Sequence, residues 1–151
     1  MPSHDLSLVC GPALLACRSA VASVPVGSPV RVAVVGSRRF PRLSLVSSFV
    51  AQLPSSVVVC SGGAGGVDQT AVSAAWSRGL AVSVLPAAWS RLGRSAGVVR
   101  SAQLLSSVSV VVVFLCCGSP GASHAVALAS LAGVPVFVVP CGCVASPKLG
   151  D

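Results

Sequence analysis

The sequence predicts an α/β fold, a Rossmann-like, doubly wound and mainly parallel five-stranded sheet with helices on both faces. Three observations predict it. Five short apolar runs punctuate the chain, and segments of helical spacing fill the gaps between them. The runs are also continuous rather than alternating, as in strands covered on both faces. Strands that alternate with helices need crossover connections, which make the strands parallel and lay the helices on the sheet.

Taken in order, residues 1–30 read as an N-terminal extension and linker. Ala13–Val21 is a candidate short helix there, and Pro25 to Pro29 a linker. Arg31-Val-Ala-Val-Val-Gly36 is the first strand, closed by glycine. Leu43, Val46, Val50 and Leu53 then fall on one helical face before Pro54 stops the element. Val57–Cys60 is the second strand. Val67–Arg78 carries Ala71, Val72, Ala75 and Trp76 at helical spacing and ends at Gly79, a good C-terminal cap position. Leu80–Leu85 is the third strand, Val98–Leu105 a helix and Val108–Cys116 the fourth strand. Ser123–Leu131 is a helix ending at Gly133, and the run Val134–Val139 is the fifth strand. Residues 31–140 thus form the Rossmann-like domain, with a tail at 141–151.

Composition narrows the chemistry. Of 151 residues, 54% are hydrophobic and 9% charged, against the ~25% charged that is usual for a soluble domain. So apolar a chain buries enough surface to offset its ordering entropy, which excludes disorder. There is no Glu, and the only carboxylate side chains are Asp5, Asp68 and Asp151. A two-carboxylate mechanism would have to draw on that trio, two of which lie near the chain ends. With 4% aromatic residues and no Tyr, a broad base-stacking platform is not expected.

The net charge is +7, and eight of the ten basic residues lie between Arg31 and Arg100, where Asp68 is the only acid. Such a span favours anionic partners such as phosphate esters or nucleic acid; arginines that only keep an apolar protein soluble are the plainer alternative. The seven cysteines form no secreted disulfide framework. Reduced, buried thiols in a cytoplasmic protein are the reading for Cys60, Cys116, Cys117, Cys141 and Cys143. A soft-metal site built from Cys116, Cys117, Cys141 and Cys143 is the less favoured alternative, and no metal is expected. Leu14-Leu15-Ala16-Cys17 mimics a lipoprotein cleavage box, but no Lys or Arg precedes it and Gly11-Pro12 interrupts the apolar stretch. The longest apolar run, Val108 to Cys117, is far shorter than the ~20 residues that span a bilayer. No membrane partner is expected.

Ligands of doubly wound sheets bind beyond the carboxyl ends of the strands. Here those ends carry Gly36-Ser37-Arg38-Arg39-Phe40 and then Ser61-Gly62-Gly63-Ala64-Gly65-Gly66-Val67-Asp68, which runs straight into a helix. The dense glycines let backbone N–H groups approach a ligand, and the helix N-terminus favours phosphate. A tight strand-to-helix turn is the purely structural alternative. The run is neither a P-loop nor the dinucleotide fingerprint. Asp68 either stabilises the first helical turn or accepts ribose or base hydrogen bonds. Arg38, Arg39, Arg94 and Arg100 follow strand ends or loops on the same rim and are candidates to converge on an anion. Gly118-Ser119 opens a second small-residue loop that runs to His124, which reads as structural or solvent-facing. Trp89 either covers a base or packs at a strand exit.

In order, Gly36-Ser37-Arg38, Cys60-Ser-Gly-Gly-Ala-Gly-Gly-Val-Asp68, Pro86-Ala-Ala-Trp89 and Gly93-Arg-Ser-Ala-Gly97-Val-Val-Arg100 resemble the pattern of the SLOG superfamily. Within it the sequence is most similar to the YspA-like (cpYpsA-related) branch, with the DprA and LOG proteins as more distant relatives. The resemblance covers about residues 31–140. It implies a Rossmann-like sheet whose glycine loops bind nucleotides or nucleotide-derived ligands, through Gly36, Ser37, Arg38, Gly62, Gly63, Gly65, Gly66, Asp68 and Arg100. The sequence departs from the branch at Gly65, where Arg is usual, at Ala88 (Asp), at Ser101 (Asn), and at Pro120 and Ala122 (Arg and Thr). LOG enzymes use a Glu and an Arg to cleave a nucleotide N-glycosidic bond, and a chain without Glu is not expected to do so.

The leading expectation is therefore a binding module for a nucleotide or nucleotide-derived small molecule, of the sensor type, that needs no cofactor and has a partly altered site. Single-stranded DNA binding in the manner of DprA is one alternative. An enzyme using Asp68 as acid or base ranks below both. The other alternative is self-assembly, as a homo-oligomer or filament, because Val67–Arg78 and Ser123–Leu131 lack the charged face usual on a monomer's surface helices.

Overall fold

A strand of valines, Val30–Gly36 (β1), runs through the centre of the computed structural model, which describes residues 3–37, 40–62, 65–84, 108–116, 126–127 and 129–140. On either side lie Val57–Ser61 (β2), Ala81–Val84 (β3), Val110–Leu115 (β4) and Val136–Pro140 (β5). All neighbours pair in parallel, in the order β3-β2-β1-β4-β5. This is the five-stranded parallel sheet expected from the continuous apolar runs. The order reverses between β1 and β4, which is where open α/β sheets leave a crevice at their carboxyl ends.

Successive side chains of a strand point to opposite faces, so the sheet carries two separate cores. Val30, Val32 and Val34 of β1 join Val57, Val59, Val110, Val112 and Phe114 on one face. Ala33, Val35, Cys60, Val111 and Val113 form the other, beneath Ala129 and Val126. Helical residues at 126–127 and 129–132 lie in the segment that leads to β5. The predicted helices at Val98–Leu105 and at the start of Ser123–Leu131 fall outside the described residues.

Among the described residues, three helices cover the first face: Ser3–Ala22 (α1), Leu43–Ala51 (α2) and Val67–Arg78 (α3). The bounds of α3 agree with the sequence reading, and Gly79 closes it in the left-handed conformation. Within α3, however, Trp76 does not join the core; it is 67% exposed. In α2 the buried positions are Leu45, Val46, Phe49 and Val50, followed by Leu53 after the helix, whereas Leu43 is 37% exposed. The guanidinium of Arg78 reaches from α3 to the carboxyl end of α2 and donates to the carbonyls of Val50 and Leu53.

The largest departure is α1. The sequence predicts a short helix at Ala13–Val21; the helix instead runs twenty residues, through Pro12. Proline removes one i→i−4 hydrogen bond, a local cost that packing outweighs. Cys10, Ala13, Leu14 and Cys17 recur at the i, i+3, i+4, i+7 spacing, and all four are buried in the first core. Among the described residues, no helix is long and apolar enough to cross a membrane.

Candidate functional site at the carboxyl ends of the strands

The expected site residues divide sharply. Gly36, Ser37, Gly62 and Asp68 come together at the carboxyl ends of β1 and β2, and Gly65 and Gly66 lead into α3 beside them. Arg38, Gly63, Arg100, Gly118 and Ser119 lie outside the described residues, as do Arg39, Trp89, Arg94, His124 and the cysteines at 117, 141 and 143.

Asp68 holds the site together. It is the second residue of α3 and only 3% exposed. One carboxylate oxygen accepts the N–H of Gly36 at 3.2 Å, where β1 ends. The other accepts the N–H of Gly62 at 3.2 Å, just after β2. Gly36 lies beyond the last pair of β1 with β2, and Gly62 beyond the end of β2, so each amide needs another partner, and an ionised acceptor is a strong one. The first turn of α3 also favours negative charge there. Ser61 adds to the joint by donating its hydroxyl to the Asp68 carbonyl at 3.4 Å. Asp68 is therefore a tie between the two glycine turns, combining the helix-start role with a longer-range one.

The glycines on either side of this joint are there for different reasons. A Cβ at Gly36 would collide with the Phe114 carbonyl oxygen and lie 2.9 Å from Val67 Cγ2. The bare backbone lets the start of α3 rest directly on the end of β1. Gly66, the N-cap of α3, has φ 70° and ψ −120°, a region open in practice to glycine alone. No side chain caps this helix end.

Ser37 closes the crevice between β1 and β4. Its N–H donates to the Phe114 carbonyl at 3.0 Å, and its hydroxyl accepts the Cys116 N–H at 2.8 Å. Phe40 follows as a lid on the core: its N–H donates to the Ser37 carbonyl, and its ring meets Phe114 edge-on with centroids 5.5 Å apart. Sequence reasoning passed over Phe40 and Ser61. The signal for Phe40 is an aromatic before Pro41 immediately after a strand exit; for Ser61 it is a small hydroxyl at the strand end of the glycine run.

The described cations of the basic span do not all reach this rim. Arg31 leaves β1 near its amino end and donates to the Ser83 hydroxyl at 3.3 Å, its Nε buried without a partner. Arg78 serves the end of α2. Arg42 stands just before α2, close enough to Cys10 to oppose the rise that burial imposes on that thiol.

A family model described as DNA recombination-mediator protein A matches residues 10–114, more than two thirds of the chain. No curated protein and no solved structure matches. The matched span begins inside α1 and ends in β4, so it contains both glycine turns and Asp68.

Proposed function

Because the chain belongs to the DNA recombination-mediator protein A family, we propose that it is a nucleic-acid-binding module that holds the backbone of single-stranded DNA at the carboxyl rim of its sheet. One observation carries this reading. Asp68, the only acid between Arg31 and Arg100, is turned inward and spent on two backbone amides. The span holds eight of the ten basic residues and its one acid is buried, a charge balance that suits a polyanion. Arg38 and Arg39 directly follow Ser37 in the sequence and are the residues assigned to phosphate.

The test is fluorescence anisotropy with a labelled oligothymidylate. Micromolar or tighter binding at 50 mM salt should weaken steeply by 200 mM, with a log–log slope of about −0.7 per phosphate contact. Arg38→Ala/Arg39→Ala should flatten that slope by roughly 1.4. Absence of binding at low salt overturns the reading.

A second reading, a nucleotide-derived ligand, is favoured by the direct seating of α3 on Gly36 beside a glycine turn, and by the resemblance to the YspA-like branch. On this reading the protein is a cytoplasmic sensor. A thermal-shift panel of nucleotides, NAD and ADP-ribose separates the two, since a ligand at 100 times its Kd stabilises by about 2.7 kcal/mol. A flat panel eliminates it. Neither reading uses Asp68 as a general acid or base, because its oxygens already serve the fold.

A further inference from the structure

We infer that Arg31 and Ser83 form a binding site for a small oxyanion, the carboxylate or phosphate of a small molecule, on the second face of the sheet. The site goes beyond the proposed binding of DNA and lies apart from the carboxyl rim. It starts from the register. Arg31 stands beside Val58, and Val58 beside Ala81, in one row across β1, β2 and β3. Cys60 and Ser83 are the next pair on the same face. The Arg31 side chain crosses β2 to reach Ser83, to whose Oγ its Nη2 donates at 3.3 Å. Its charge is close enough to Cys60 to oppose the rise that burial imposes on that thiol.

The guanidinium is left half-used. Nε and Nη2 share one edge of a planar, always charged fork, the edge that grips two oxygens of a carboxylate or phosphate. Here Nη2 meets a neutral hydroxyl, while Nε is buried and meets no acceptor. A buried donor without an acceptor costs stability, and more so on a cation. The one acid of the surrounding span does not offset it, because Asp68 is committed to the amides of Gly36 and Gly62. An apolar side chain at this position would avoid the cost, as Ala33 and Val35 do further along the same face.

The surroundings suit a small molecule. Arg31, Val58 and Ser83 are half-buried and Ala81 is exposed, so this corner of the sheet meets solvent although Nε does not. A dry donor beside apolar Val58 and Ala81 makes a stronger hydrogen bond to an anion than a wet one. The Ser83 hydroxyl, an acceptor for Nη2, also carries a proton that it can turn toward an oxyanion. The atom to be reached is buried, which selects a small molecule over the backbone of a polymer. The fork selects a pair of oxygens over a spherical ion such as chloride.

Inorganic phosphate and acetate are the probes, each compared with chloride at equal ionic strength, and the nitrogen–proton resonance of Arg31 Nε in the full chain is the readout. Titration should move that resonance and saturate with an apparent Kd of about 1 mM, the strength of two charge-assisted hydrogen bonds. A larger response to acetate identifies a carboxylate ligand, and a larger response to phosphate a phosphorylated one. Arg31→Lys keeps the charge without the fork and should weaken binding by about tenfold. Phosphate also stabilises proteins by exclusion from their surfaces, so melting temperatures are compared with Arg31→Met, an unbranched apolar replacement. The saturating part of the rise should vanish in Arg31→Met and persist in Arg38→Ala/Arg39→Ala, which separates this site from the rim and its failure from that of the DNA reading. A wild-type resonance that ignores both anions overturns the proposal whether or not the variants fold. So does a saturating rise that survives in Arg31→Met.

Discussion

At Asp68 a single side chain answers two questions that the sequence left open, what a lone acid in a basic span does and why two glycine turns lie together. Its oxygens take one amide from each turn. Asp68→Asn keeps one acceptor but turns an amide NH2 toward the other N–H, leaving a buried donor unmatched. The expected cost is about 1–3 kcal/mol, read from the urea midpoint; a loss within experimental error would mean that the joint is not held this way. The glycines give a sharper contrast. Gly36→Ala forces a Cβ against the Phe114 carbonyl and Val67, and should destabilise by about 1–3 kcal/mol. Gly65→Ala meets nothing within 4 Å and should change stability by less than about 0.5 kcal/mol. Equal effects at the two positions would refute the close-packing account. The motif was legible in the sequence, but its division of labour was not. Glycines read alike in a string, whereas one is held by an atom from a strand distant in sequence and another by its own dihedral angles.

Elements were legible where period and punctuation agreed, as in α3, where the small buried residues end at a glycine. They were misread where two faces fit the same spacing. In α2 the Leu43–Val46–Val50 series is helical, yet Leu45 and Phe49 turn inward, because Phe49 meets Phe114 edge-on at 5.7 Å. That contact joins residues sixty-five positions apart, and no local pattern reports it. In α1 a proline masked a good apolar stripe, and the stripe has a measurable consequence. Burial pushes the Cys10 thiol up to about 11 and the Cys17 thiol up to about 12, from an ordinary 9.0. The unfolded chain gives up these protons first, so it binds fewer protons than the folded one above pH 9. Stability should therefore be level below pH 9 and fall as pH rises toward 11 and 12. Burial raises the Cys60 thiol as well and adds to the same decline, so the share of Cys10 and Cys17 is read by difference. Melting temperatures of wild type and of Cys10→Ala/Cys17→Ala across pH 8–11 check this; the variant should show a shallower decline, and parallel curves would refute the assignment.

On the scale of the whole molecule, a parallel five-stranded sheet covered on both faces was legible because such strands leave long valine runs, whereas the order of the strands was not. Nor was the reach of the fold toward the N-terminus. Residues 1–30 look like an appendage in a sequence whose first strand begins near residue 30, yet α1 lies on the same core as β1, β4 and β5. Chain α2 and α3 connect β1 to β2 and β2 to β3, so their crossovers cover that half of the first face; the half over β4 and β5 falls to α1. Removing residues 1–29 would strip Cys10, Ala13, Leu14 and Cys17 from the core and bare Phe137 and Val139. Burying a Leu contributes about 1.5–3 kcal/mol and the smaller side chains less, so the loss is on the order of 5 kcal/mol. That equals the lower end of the ~5–15 kcal/mol by which whole domains are stable. The shortened chain should therefore bind a hydrophobic dye and melt without a sharp transition, while the full chain unfolds cooperatively. A truncated protein with a sharp calorimetric transition would show that the sheet and its remaining helices are complete without α1.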